Sequence, residues 1–109
     1  MASSLEYVNY VCDQLRSFGS VRSQLMFGDY MVYLNAKPVV LICDDVAYCK
    51  QLPQLAPFLQ DAPRGIPYAG AKERWILDIE DRALLECVIP LLEAGTPYPK
   101  HKKSAAKEA

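Results

Sequence analysis

VRSQLMFGDYMVYLNAKPVVLICDDVAYCK, residues 21–50, divides into four short runs rich in β-branched and aromatic side chains, at 21–27, 30–34, 38–43 and 46–50. The runs are separated by Gly28-Asp29, Asn35-Ala36-Lys37 and Asp44-Asp45. Gaps this short close antiparallel hairpins and cannot accommodate the crossover that parallel strands need. The segment therefore predicts an antiparallel meander. Pro38, which has no amide hydrogen to give a ladder, is expected at a strand start.

Upstream of the meander the period is helical. Leu5, Val8, Val11, Cys12, Leu15 and Phe18 recur at three- and four-residue spacing and form one apolar stripe. Ser3 and Glu6 fit a capping box and Gly19 fits a left-handed stop, placing the helix at about 4–18. Downstream, Pro53, Pro57, Pro63 and Pro67 interrupt residues 51–70, where Leu52, Leu55, Phe58 and Leu59 can cover the sheet only from a short helix begun at Pro53. In residues 74–79, Trp75, Leu77 and Ile79 alternate with Arg74, Ile76 and Asp78, which predicts a fifth strand. Leu84, Leu85, Val88, Ile89, Leu91 and Leu92 then form the broad apolar face of a second long helix over 80–94, with a kink or break expected at Pro90. Gly95, Pro97 and Pro99 should end a domain spanning 1–99, and 100–109 reads as a flexible lysine-rich tail. The expected fold is α+β: a two-layer sandwich with a curved antiparallel sheet of about five strands, on which the N- and C-terminal helices pack.

With 109 residues, 51% apolar and 23% charged, the composition is that of one globular domain and excludes disordered, coiled-coil and collagen-like classes. The net charge of −1 gives no overall attraction for nucleic acid or anionic membrane, but it is segregated. Residues 1–99 carry −4, and the last ten carry +3 through Lys100, Lys102, Lys103 and Lys107 against Glu108. The first residues have neither a basic region nor an apolar run of the secretory kind, and 38–43 is too short to cross a bilayer, so a cytoplasmic protein is expected. Cys12, Cys43, Cys49 and Cys87 fall in apolar patterns and read as buried free thiols.

Little here suggests catalysis. No histidine precedes His101, which removes Ser-His and Cys-His nucleophilic arrangements and any histidine metal site from the domain. Asp44-Asp45 and Glu80-Asp81 lie where a turn and a helix start already favour carboxylates. The glycines at 65 and 70 do not open a helix after a strand, so they form no phosphate loop. No catalytic residue, metal or cofactor is expected. Phe27, Tyr30, Tyr33, Tyr48, Tyr68 and Trp75 in or beside predicted strands can pack the sheet, stack bases or anchor a protein.

Three groups of residues taken together resemble the N-terminal domain of the TfoX/Sxy family of competence regulators. They are Tyr7 to Leu15, then Arg22 with Met26-Phe27-Gly28-Asp29-Tyr30, then Val32 to Lys37. An apolar strand ending in Asp44-Asp45 follows, with Tyr48 and Lys50, while Ile66-Pro67-Tyr68 and the Trp75–Ile79 strand resemble the family more loosely. Two glycines common in the family after Met-Phe-Gly are replaced by Asp29 and Met31, and the helical C-terminal module of two-domain members has no counterpart in this sequence. The resemblance implies an α-β-β-β-β-(α)-β-α order, a bacterial origin and a non-enzymatic accessory role in transcription of competence genes. The partner would be a transcription factor or polymerase-associated protein, met through Arg22, Met26, Phe27, Gly28, Asp29, Tyr30 and Tyr68. Two other readings stay open. One is weak nucleic-acid binding by Lys100, Lys102, Lys103 and Lys107 with the sheet tyrosines, and the other is a small-ligand pocket between sheet and helices. An unpaired sheet edge would also allow a homodimer.

Overall fold

A computed structural model describes residues 4–99; the lysine-rich tail and Ser3 lie outside the described residues. Helix α1 (Leu5–Leu15) runs into a 3₁₀ turn at Arg16–Phe18. Its cap is Ser4, one residue later than the sequence suggests: the Ser4 hydroxyl accepts from Tyr7 N at 3.2 Å, and the Ser4 amide donates to Asp45 Oδ1 at 2.8 Å. The cap thereby fastens α1 to the sheet as well as ending it.

The meander forms β1 (Val21–Met26), β2 (Asp29–Leu34), β3 (Lys37–Cys43) and β4 (Val46–Cys49), all antiparallel. Three two-residue turns join them, at Phe27-Gly28, Asn35-Ala36 and Asp44-Asp45, and both residues of each have positive φ. This is the backbone whose twist matches that of paired strands. The first turn lies one residue earlier than expected, because such a turn favours glycine at its second central position, which Gly28 fills. Asp29 and Met31 are thus ordinary strand residues without positive φ. Pro38 is the second residue of β3, beside an irregularity where pairing shifts between Val32 and Tyr33 and a missing donor is tolerated.

After a 3₁₀ turn at Pro53–Leu55 come α2 (Ala56–Leu59), β5 (Arg64–Gly65) and β6 (Arg74–Ile76). The sheet therefore has six strands, in the order β1-β2-β3-β4-β6-β5, one more than the sequence pattern suggests. Trp75, Leu77 and Ile79 are buried as their alternation predicts, and the segment beyond Ile76 stays attached through Leu77 N donating to Ala47 O at 2.8 Å.

Helix α3 (Arg82–Gly95) is capped by the Asp81 carboxylate, which accepts from Leu84 N at 3.1 Å. It passes through Pro90 unbroken, since Pro90 is on the exposed side, where water can serve the carbonyl left without a donor. Val8, Val11, Cys12 and Leu15 of α1 and Leu85, Val88, Ile89 and Leu92 of α3 face Val32, Val40, Ile42 and Cys49 of the sheet in one apolar core. Each buried Leu or Ile contributes roughly 1.5–3 kcal/mol. Both long helices and Leu55 and Leu59 join this core, so all helical cover is on one face and the other is free of helices. No helix among the described residues is long and apolar enough to cross a membrane.

Candidate functional site

Strand pairing determines what the helix-free face presents. Gln24 is opposite Met31, Met31 opposite Leu41, Leu41 opposite Tyr48 and Tyr48 opposite Ile76, so one row of side chains crosses five strands. The flanking residues of that face are Met26, Asp29 and Cys43 on one side and Arg22 and Tyr33 on the other. A groove of about 430 Å³ lies on this surface, lined by Met26, Phe27, Asp29, Met31, Leu41, Tyr68 and Arg74. Leu41, only 6% exposed, belongs to its floor, whereas Tyr68 remains 53% exposed at its side.

Four residues of the predicted surface, Met26, Phe27, Asp29 and Tyr68, are therefore brought together, and Gly28 supports them from the turn. Gly28 has φ 87°, a conformation that L side chains rarely adopt, although nothing lies within 4 Å of where a Cβ would be. Tyr30 faces the opposite way and packs against the core. Arg22 is on the groove's face but beyond its lining; its guanidinium lies 4.0 Å from the Tyr33 ring centre and donates to Gln24 Oε1 at 3.3 Å. Met31, Leu41 and Arg74 complete the groove and were not among the predicted site residues. Strand alternation puts Met31 and Leu41 on one face, but Arg74 joins them only through the β4–β6 pairing.

Phe27 is the most unusual of these residues. It is wholly exposed at the hairpin tip and adopts φ 53°. A left-handed conformation costs a non-glycine residue on the order of 1–2 kcal/mol, and an exposed phenyl ring recovers none of that by burial.

Cys43 is beside Asp29, and burial, followed by the hydrogen bond to and charge of Asp29, pushes its thiol up to about 12. A thiol held protonated is a poor nucleophile. Burial likewise pushes Cys49 up to about 12 and raises Cys12, while Cys87 is exposed on α3, contrary to the expectation that all four thiols are buried. Its place in the helical pattern looked apolar, but the face it occupies turns to solvent. Among the described residues no group of three or more His, Cys, Asp or Glu could hold a metal ion. The layer between sheet and helices is filled by the core. At its margin a shallow cavity of about 400 Å³ opens beside Tyr7, Tyr10, Asp45 and Glu80.

Sequence comparison gives the chain a relative. It is 31% identical over 109 residues to an uncharacterized 12.7 kDa protein in the trpE 5′ region of Spirochaeta aurantia, covering 98% of this chain and 95% of that one. The chain belongs to the same family as this spirochaete protein. No protein-family model matches it.

Proposed function

We propose that the chain is a non-enzymatic protein-interaction domain of the TfoX N-terminal type, a cytoplasmic accessory regulator of transcription that docks its partner on the helix-free face of the sheet. The observation that carries this reading is Phe27. A large aromatic side chain is held in a costly backbone conformation, fully in water, at the rim of an apolar groove. Folding alone favours asparagine at that turn position. A phenyl ring there gains its burial from a second molecule, as aromatic anchors of protein interfaces do.

Two features support the finer assignment. Residues 5–50 follow the TfoX/Sxy order of helix, Met-Phe-Gly step, Tyr-Leu-x-x-Lys hairpin and apolar strand ending in two aspartates. The cysteine beside the groove's Asp29, Cys43, is also held protonated and so is a poor nucleophile. Both fit a partner such as a transcription factor or a polymerase-associated protein.

The test is affinity capture from a bacterial extract with the full chain, comparing the natural sequence with Phe27→Asn and identifying bound proteins by mass spectrometry. The reading expects a transcription factor or polymerase-associated protein on the natural chain and its loss from the variant. Equal recovery by both, or recovery of no such protein, contradicts it. So does turnover of any metabolite that a single substitution within 4–99 abolishes.

A further inference from the structure

Residues 1–99 contain eight basic side chains, and five of them have partners within the fold. Arg16 pairs with Asp13 at 3.0 Å, Lys37 with Glu93 at 3.4 Å and Arg64 with Glu73 at 3.9 Å. Arg22 stacks on Tyr33, and Arg82 donates to Gln14 O and Ser17 Oγ. The remaining three, Lys50, Lys72 and Arg74, have no hydrogen bond or ion pair to any described residue. These three are gathered around one open cavity of about 480 Å³.

Their meeting is a product of topology. Lys50 follows β4, Lys72 leads into β6 and Arg74 opens it, and the pairing of those strands sets them side by side. Glu73 is the one carboxylate lining the cavity, and it is already engaged by Arg64 and by Gln51 Nε2, which donates at 3.2 Å. Gathering three uncompensated cations costs mutual repulsion, in a globule whose total charge of −4 offers ample acidic residues to neutralise them. Arg74 lines this cavity and the apolar groove alike, so the two adjoin.

We propose that the groove's partner is an acidic segment of a protein: an apolar side chain enters over Met31 and Leu41, and neighbouring carboxylates pair with Arg74, Lys50 and Lys72. This inference rests on the groove reading above and adds the chemistry of what docks there. A nucleic-acid strand fits less well. The floor is aliphatic, and Tyr33 is only 8% exposed and already carries Arg22, so it offers bases no stacking platform. Methionine and leucine floors instead suit apolar side chains of varied shape.

Fluorescence anisotropy with the full chain and four labelled probes tests this. The probes are a peptide with leucines flanked by glutamates, the same peptide with glutamines for the glutamates, the same with serines for the leucines, and an oligothymidylate. The first should bind at least about tenfold more tightly than the others, weaken with added salt, and weaken about tenfold in Lys50→Gln/Lys72→Gln, as expected for two ion pairs at a partly exposed site. Lys50→Arg/Lys72→Arg should keep the affinity. Both lysines are exposed, so neither pair of changes disturbs the core. Equal binding of the glutamate and glutamine peptides would overturn the acidic-partner inference while leaving the groove reading in place. Tighter binding of the oligothymidylate, no effect of Lys50→Gln/Lys72→Gln, or no binding of the glutamate peptide would overturn it too. Only loss of Phe27-dependent protein capture reaches the groove reading itself.

Discussion

Phe27 and Gly28 share one turn and make opposite predictions. Phe27→Asn puts a residue that tolerates positive φ where a phenylalanine is strained, so the fold should gain about 0.5–1 kcal/mol, read as a higher denaturation midpoint, while partner binding falls. Gly28→Ala should cost about 1 kcal/mol despite open space around the new methyl, because its φ of 87° is the difficulty. The cysteines give a second test at this scale. Cys87 should react with a thiol reagent in the native state, and Cys12, Cys43 and Cys49 only on unfolding. Cys43 and Cys49 also set an alkaline limit. Unfolded, they lose protons from about pH 9 upward, whereas folded they hold them to about 12. The unfolded state then binds fewer protons across that window, so stability falls as pH rises through it and is unaffected below it. Urea midpoints taken between pH 8 and 10 should show the decline, and Cys43→Ala/Cys49→Ala should flatten it.

At the scale of elements, two polar clamps hold the helices in place. The Arg82 guanidinium at the start of α3 donates to Gln14 O and to Ser17 Oγ at 2.9 Å, and Gln14 Nε2 donates back to Ile79 O at 2.8 Å. Lys37 at the start of β3 donates to Glu93 O at 3.2 Å and lies 5.0 Å from the Tyr98 ring centre. Arg82→Ala and Lys37→Ala should each lower stability by about 1–2 kcal/mol in chemical denaturation, and Arg82→Lys should recover only part because it lacks the planar fork. Most elements were legible in the sequence. The two helices follow from three- and four-residue spacing, and the meander from short gaps between β-rich runs. What escaped were features with no local signal: β5, whose two residues in a proline-interrupted segment show no alternation, and the continuation of α3 through Pro90, which depends on which side of the helix meets water.

For the whole molecule, the arrangement of helices on one face leaves the other free, and this is where sequence reading had least purchase. Met26, Phe27, Asp29 and Tyr68 were legible as candidates through the likeness of the Met26–Tyr30 turn and its neighbouring aromatics to the TfoX/Sxy pattern. Arg74 and the Lys50–Lys72 corner were not, since only the pairing of β4 with β6 brings them to the groove. Salt dependence distinguishes the docking account from its rival. Removing residues 100–109 should leave peptide affinity and its salt slope unchanged, because the cations proposed to pair with the peptide are Lys50, Lys72 and Arg74 at the ends of β4 and β6. The most direct measurement places a photo-crosslinking phenylalanine analogue at position 27 and, in a second chain, at the exposed Glu86 of the helical face. Irradiated in extract, the first should give a discrete protein adduct that excess natural chain suppresses and excess Phe27→Asn does not, and the second should give none. An adduct of equal yield from Glu86, or one from position 27 that Phe27→Asn suppresses equally well, would contradict docking on the helix-free face.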